Sequence, residues 1–153
     1  MYSRQLSLAL SRLAAQFPVV LITGPRQSGK TTLARAQFPD KPYVSLEDPV
    51  ERAFAEEDPR GFLARFPAGA VFDEAQRWPD LFSHLQGMVD QDRTPGRFVL
   101  TGSQQFGLLA GITQSLAGRV GVTHLLPLAL GELPGATLRK PNPDGLMQRG
   151  GYP

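Results

Sequence analysis

Apolar residues along the chain follow two spacings, one typical of helices and one typical of buried strands. Residues 4–17 carry large apolar side chains three or four positions apart, at Leu6, Leu10, Leu13 and Phe17. This spacing predicts an amphipathic helix, and Pro18 ends it. The continuous run of β-branched and aliphatic residues at 18–23 is instead typical of a strand that is covered on both faces.

The two spacings alternate along the chain as far as residue 128. Further strands are predicted at 43–46, 70–74, 97–102 and within 119–128, and helices at 31–38, 48–66, 81–89 and 106–117. Residues 48–66 are predicted to form one or two helices, because Pro59 and Gly61 interrupt them. Strands alternating with helices predict an α/β fold, in which a mostly parallel sheet is covered by helices on both faces.

A glycine-rich segment joins the first strand to the next helix. Its sequence, GPRQSGKT at 24–31, fits the pattern GxxxxGK[ST]. Successive backbone N–H groups in such a loop surround the oxygens of a triphosphate, and the glycines permit the close approach. Lys30 supplies positive charge to the β- and γ-phosphates, the Thr31 hydroxyl can ligate Mg²⁺, and the helix N-terminus adds a positive end. The expected nucleotide-binding residues are Gly24, Pro25, Arg26, Gln27, Ser28, Gly29, Lys30, Thr31 and Thr32.

An acidic pair, Asp73 and Glu74, ends the apolar strand AVFDE. The distance along the chain from Lys30 fits a β–α–β–α–β path. Beside a phosphate loop, the first acid of such a pair holds Mg²⁺ together with Thr31, and the second orients and polarises the attacking water. The pair therefore favours hydrolysis of the nucleotide over phosphoryl transfer to a metabolite.

The predicted strand at 97–102 ends in polar residues. Ser103 is the first choice for a hydroxyl that binds the γ-phosphate or the attacking water, and Thr101 and Gln104 are alternatives. Arg119, in SLAGRV, is a candidate for stabilising transition-state charge, either within its own subunit or from a neighbouring one. Arg26, inside the loop, is expected to contact the nucleotide or a partner instead of stabilising the transition state. The predicted catalytic residues are Glu74, Lys30, Ser103 and Arg119.

Composition and charge exclude several other classes of site. The 153 residues include no Cys, which excludes thiolate catalysis, disulfides and cysteine metal sites. The apolar runs are too short to span a bilayer and a signal peptide is not evident, so a cytoplasmic protein without membrane contact is expected. The net charge of +2 is uneven, because 47–58 carries −5 and the rest of the chain +7. Such a mild positive excess permits phosphate binding but does not establish a nucleic-acid partner.

The motifs together resemble AAA-type P-loop ATPases, in particular a prokaryotic group with GPRQxGKTT, DExQ, TGS and LAGR motifs. Here these are GPRQSGKTT at 24–32, DEAQ at 73–76, TGS at 101–103 and LAGR at 116–119. The resemblance implies the three-layer sandwich of P-loop NTPases, with a parallel sheet of strand order 5-1-4-3-2. It also implies an ATPase core over 1–130, and a Gly/Pro-rich segment at 131–153 that leads to an absent C-terminal region. In that group, the C-terminal half resembles a restriction endonuclease.

The resulting hypothesis is an ATP-binding, Mg²⁺-dependent ATPase core that drives or gates an unidentified partner. The alternative from another class is a nucleotide-gated module that binds DNA or a protein and has little turnover of its own. A small-molecule kinase is a third hypothesis, for which no acceptor-binding segment is evident. The absence of a guanine-reading NKxD segment favours adenine. The sequence leaves open whether the protein is a homo-oligomer and whether its partner is DNA or protein.

Overall fold

The computed structural model describes residues 6–103 and 106–127, and within them helices alternate with strands. The helices are α1 (Leu6–Gln16), α2 (Lys30–Gln37), α3 (Pro49–Glu57), α4 (Pro59–Ala64), α5 (Leu81–Gln91) and α6 (Phe106–Ser115). The strands are β1 (Val19–Gly24), β2 (Tyr43–Ser45), β3 (Val71–Asp73), β4 (Phe98–Ser103) and β5 (Val120–His124). The predicted segment 131–153 and the candidate Gln104 lie outside the described residues.

The five strands form one parallel sheet in the order β2-β3-β4-β1-β5. This is the predicted order 5-1-4-3-2 read from the other edge, so that prediction is confirmed. The register between β1 and β4 sets Gly24 beside Ser103. Because all the strands run the same way, their carboxyl ends meet at one edge of the sheet, which is where ligands bind in open α/β folds.

Helices cover both faces of the sheet, as the α/β prediction requires. On one face, α1 and α2 bury Leu10 and Leu33 against β1 and β4. On the other face, helices α3 to α6 bury a larger cluster that includes Phe62 and Trp78. Every residue of β1 is buried, as expected for a central strand with both faces covered. The loop that follows β1 is therefore attached to the rigid centre of the fold.

The structure adds detail to two of the predicted segments. The predicted strand 70–74 ends at Asp73, because Glu74 has a left-handed backbone (φ 57°, ψ 47°) and starts a 3₁₀ turn, Ala75–Arg77. The acidic segment, for which one or two helices were predicted, forms two, because Asp58 ends α3 and caps α4, where its carboxylate accepts from Gly61 N at 2.9 Å. Among the helices that the structure describes, none has the length and apolar content needed to cross a membrane.

Candidate functional site

The loop between β1 and α2 has the geometry of a phosphate-binding nest. Gln27 and Gly29 have left-handed backbones, with φ of 61° and 88°, and alternation of backbone handedness turns successive N–H groups toward one concavity. Helix α2 begins at Lys30, so its first-turn N–H groups have no acceptor within the helix. Backbone donors and the positive end of a helix therefore serve the same space, an arrangement suited to phosphate.

Gly24 lets the segment after β5 pack directly against the start of this loop. A Cβ at Gly24 would lie 2.2 Å from the carbonyl oxygen of Leu125, which real Cβ atoms do not tolerate. Leu125 is held there by its N–H, which donates to the Thr23 carbonyl at 2.7 Å. The Ser28 hydroxyl is buried nearby and has no hydrogen-bond partner within the described ranges. A buried unpaired donor in this loop fits a site that an anion completes.

Lys30 is buried in the loop that it follows, with 5% of its surface exposed. Its Nζ donates to the carbonyl oxygens of Gly24 at 3.1 Å and Pro25 at 2.7 Å. Burial lowers the pKa of Lys30, whereas the negative charges of Glu74 and Asp73 act in the opposite direction. Because neutral carbonyls hold the ammonium group, a polyphosphate would supply the anion that this buried cation lacks at close range.

The Asp73 carboxylate accepts hydrogen bonds from hydroxyl groups on three other elements. Thr31 Oγ1, on α2, lies 2.9 Å and 3.1 Å from the two carboxylate oxygens, and Tyr43 Oη, on β2, lies 2.7 Å from Oδ2. Thr101 Oγ1, on β4, donates to Oδ1. The buried carboxylate is thus well satisfied, and its contacts tie the end of β3 to the phosphate loop and to both neighbouring strands.

Thr31 and Asp73 offer the oxygen ligands that suit Mg²⁺. This cation keeps several waters and commonly binds through one or two protein oxygens together with substrate phosphates. In the part of the chain that the structure describes, no group of three or more His, Cys, Asp or Glu could hold a metal ion alone. The donor set therefore fits a cation that arrives with a nucleotide.

Tyr43 separates Asp73 from a cavity of about 510 Å³ on the flank of α2. Burial raises the pKa of Tyr43 to about 12, and the hydrogen bond to Asp73 and the charge of Asp73 contribute in the same direction. The Arg35 guanidinium lies 4.9 Å from the centre of the tyrosine ring, and Arg35 and Lys41 both line the cavity. Sequence reasoning did not identify Tyr43, because its contact with Asp73 depends on the pairing of β2 with β3.

Glu74 and Ser103 come together at the ends of neighbouring strands. The Glu74 N–H donates to Thr101 Oγ1 at 3.2 Å, so Thr101 is a buried support for both acids rather than an exposed hydroxyl. Gln76 Nε2 donates to Ser103 Oγ at 3.1 Å and also to the Glu74 carboxylate. The sequence contained Gln76 within the DEAQ motif but gave it no role, since the turn that directs it toward Ser103 was not predicted.

Arg119 lies at the other end of the sheet from the phosphate loop. Its carbonyl oxygen accepts from the N–H of Val19, the first residue of β1, whereas the loop follows the last residue of that strand. Its side chain pairs with Asp90, with Nε 2.6 Å from Oδ1 and Nη2 3.1 Å from Oδ2. The structure therefore brings together Lys30, Thr31, Asp73, Glu74 and Ser103, but it does not bring Arg119 to them.

The remaining predicted nucleotide-binding residues differ in exposure. Arg26, Gln27 and Thr32 are exposed, whereas Pro25 and Gly29 are half-buried. The exposed side chain of Arg26 is accessible to a ligand or partner, whereas Thr32 lines the cavity on the flank of α2.

Sequence comparison places most of the chain in a known family. Residues 16–134 match the family model described as an AAA domain. Two curated relatives, uncharacterized proteins of Mycobacterium bovis and Mycobacterium tuberculosis, are each 38% identical over 152 residues. The match covers 98% of this chain and 33% of either relative, so the chain spans about a third of their length.

Comparison of the fold finds similar ATPase structures at low sequence identity. The Walker-type ATPase of Pyrococcus abyssi is 18% identical with a TM-score of 0.60, and the match covers 86% of this chain and 55% of that one. AMPPCP-bound DnaA from Aquifex aeolicus is 16% identical with a TM-score of 0.55, and the match covers 96% of this chain and 55% of that one. At these identities, the likeness shows the fold.

Proposed function

This chain belongs to the AAA domain family, and from that premise we propose that it binds ATP with Mg²⁺ and hydrolyses the β–γ phosphoanhydride bond. The observation that carries the proposal is the meeting of segments 24–32, 73–76 and 101–103 at one edge of the sheet. One space is then faced by the backbone donors of the loop, by the buried Lys30, by the pair Thr31–Asp73 and by the second acid, Glu74. This is the set of groups that phosphoryl transfer to water requires.

In the proposed complex, the loop amides and Lys30 hold the phosphates. The Lys30 ammonium exchanges its carbonyl partners for phosphate oxygens, which are stronger acceptors because they are charged. Thr31 and Asp73 hold Mg²⁺, which when bound neutralises charge that develops on the phosphates. The Ser103 hydroxyl donates a hydrogen bond to a γ-phosphate oxygen.

The proposed reaction assigns Glu74 to the attacking water. The water oxygen forms a bond to the γ-phosphorus while the bond from that phosphorus to the β–γ bridging oxygen breaks. ADP leaves with the electron pair, and the Glu74 carboxylate accepts a proton of the water. Arg119 is too far along the sheet to serve its own site, so we assign it to the site of a neighbouring subunit in a homo-oligomer.

The binding half of the proposal is tested by Lys30→Ala. We expect ATP affinity to fall by about 10- to 100-fold, because charge-assisted hydrogen bonds to phosphate are lost. Lys41→Ala is the control, since Lys41 Nζ donates to the carbonyl of Arg97, which precedes β4 and so lies at the opposite end of that strand from Ser103. Calorimetric titration with ATP measures both variants. Parent-like affinity in Lys30→Ala would overturn the site assignment.

The catalytic half is tested by Glu74→Gln, which keeps the shape of the side chain but removes the proton acceptor. We expect kcat for phosphate release to fall by about 100- to 10,000-fold, whereas ATP affinity stays within about threefold of the parent. Hydrolysis by this variant at the parent rate would show that Glu74 has no catalytic role.

A second function, the nucleotide-gated interaction module, is favoured by one surface of the protein. Helix α3 is acidic and yet exposes Val50, at 75%, and Phe54, at 39%. Val50 and Phe54 lie one helical turn apart, so they give this charged helix a small apolar surface for a protein partner to cover. Turnover measured with and without added DNA and over a range of protein concentrations separates this function from an autonomous ATPase. An unstimulated rate that is proportional to protein concentration would count against the module.

A further inference from the structure

Gln76 touches both Glu74 and Ser103, although the reaction proposed above gives it no role. It is the middle residue of the 3₁₀ turn Ala75–Arg77. Its Nε2 donates to Ser103 Oγ at 3.1 Å and to the Glu74 carboxylate, which it meets through Oε2. Its own Oε1 is buried and, within the described part of the chain, has no hydrogen-bond partner.

The chemistry of the neighbours fixes the orientation of the Gln76 amide. An ionised carboxylate can only accept hydrogen bonds, so the amide nitrogen must face Glu74. This orientation leaves the amide oxygen buried and unpaired, which is unfavourable in a folded protein. The structure therefore keeps the two hydrogen bonds that Nε2 of Gln76 donates and leaves its Oε1 without a partner.

Each of these contacts determines what the neighbouring side chain can do next. The Ser103 hydroxyl accepts from Gln76, so its own proton is free to be donated to a γ-phosphate oxygen. Glu74 accepts on Oε2, which leaves Oε1 to accept from the attacking water. The Glu74 backbone is also restrained, by its left-handed conformation and by its N–H bond to Thr101.

We propose that Gln76 is a positioning residue, which ties the Glu74 carboxylate to Ser103 and sets the hydrogen-bond direction of both. It makes Ser103 a donor toward the γ-phosphate and Glu74 an acceptor for water. The inference rests on the proposed ATP hydrolysis and deepens it. Gln76 acts through its two neighbours and does not contact the reacting atoms.

The first test is Gln76→Ala, with Gln91→Ala at the exposed end of α5 as the matched control. We expect kcat of the Gln76 variant to fall by about 10- to 100-fold, as for other residues that orient a reactive group. In calorimetry, we expect its preference for a non-hydrolysable ATP analogue over ADP to fall by about 3- to 10-fold, because Ser103 is no longer oriented. ADP affinity should remain that of the parent, which a general loss of loop structure would not allow.

The second test is the pH profile of Gln76→Glu. An ionised carboxylate there cannot donate to Glu74 or Ser103, whereas a protonated one has a single O–H that can donate to one of them. We therefore expect the ratio of variant to parent rates to rise as the pH falls from about 8 to about 5.5. Gln76→Asn keeps the amide but is one methylene shorter, so it should lose activity as Gln76→Ala does and replaces it if the alanine variant does not fold.

The outcomes separate this inference from the proposed function. If Glu74→Gln loses turnover but Gln76→Ala keeps both the parent kcat and the parent preference for the analogue, the role of Gln76 is wrong and the hydrolysis proposal stands. A flat pH ratio for Gln76→Glu also overturns it. If Glu74→Gln hydrolyses like the parent, the hydrolysis proposal fails. The comparison of analogue and ADP still tests Gln76 then, because it needs no turnover.

Discussion

Asp73 belongs both to the candidate magnesium site and to the hydrogen-bonded structure of the protein. Its carboxylate accepts from Thr31, which would share the cation, and from Tyr43, which lies on the side of the cavity. A change at Tyr43 therefore reaches the site without altering any residue that is proposed to contact the nucleotide. This makes the tyrosine hydroxyl a convenient reporter of the order around Asp73.

The raised pKa of Tyr43 predicts a pH dependence of stability. Because its folded-state pKa of about 12 lies above the ordinary value of 10.0, the unfolded chain loses this proton first. The neutral phenol therefore contributes stability below about pH 10, and that contribution is lost as the pH rises from about 10 to about 12. We expect Tyr43→Phe to remove this part of the alkaline loss of stability, as measured by urea unfolding at several pH values.

An alkaline absorbance titration provides the control for this prediction. Tyr43→Phe keeps the other two tyrosines, Tyr2 and Tyr152, so the difference between the parent and variant titrations isolates Tyr43. A midpoint near 12 in that difference agrees with a buried phenol that donates to Asp73. A midpoint near 10 would contradict the contact.

The residues that the sequence could identify are those whose chemistry is local. The phosphate loop and the pair Asp73–Glu74 are each contiguous, and each follows a buried strand, so a short pattern locates them. Tyr43 and Gln76 required the fold. Tyr43 reaches an acid 30 positions away across a strand pair, and Gln76 reaches a strand that follows it by 22 positions.

Among the elements, α4 is short, yet it places Phe62 at the centre of the larger core. The Phe62 ring lies 5.5 to 6.0 Å from the rings of four other aromatic residues, on α3, on β3 and in the segments that follow α4 and the 3₁₀ turn. Three of these four contacts are edge-to-face, the favoured geometry for aromatic pairs. Phe62 therefore links α3 and α4 to the sheet that carries Asp73.

We expect Phe62→Ala to lower the free energy of unfolding by about 3–5 kcal/mol, through lost burial and the cavity left behind. That is a large part of the roughly 5–15 kcal/mol that stabilises a typical domain. Urea unfolding followed by the fluorescence of Trp78, the single tryptophan, measures the change. Phe54→Ala, at a ring that is 39% exposed, should lower stability much less. Equal losses for the two variants would show that Phe62 is not central.

Hydrophobic spacing predicted the type of each element better than its ends. It located the five strands and the alternation with helices, because buried strands and amphipathic helices differ in period. It extended β3 past Asp73 to Glu74, since a positive φ at a glutamate leaves no mark in hydrophobicity. It left open whether 48–66 forms one helix or two, because the capping contact of Asp58 with Gly61 decides that helix boundary.

For the molecule as a whole, spacing alone predicted a parallel sheet, and the strand order came from the resemblance to P-loop ATPases. Order depends on which crossovers the chain makes, and many orders share one hydrophobic pattern. The order matters because it inserts β4 between β1 and β3, so Ser103 lies between the phosphate loop and Asp73. It also sends Arg119 to the other end of the sheet, away from the phosphate loop of its own chain.

Shared catalysis between subunits predicts complementation between two inactive variants. The variant Lys30→Ala cannot bind ATP well in its own site but still carries Arg119. The variant Arg119→Ala has an intact phosphate loop but contributes no arginine to the neighbouring site. If Arg119 serves an adjacent subunit, each variant alone should lose about 10- to 1,000-fold in turnover, and an equimolar mixture should recover up to about a quarter of the parent rate. The variant Asp90→Ala also tests the role of Arg119, because it removes the ion pair that holds the Arg119 side chain against its own subunit. A mixture no more active than the sum of its parts, or an Arg119→Ala variant as active as the parent, would show that each subunit works alone.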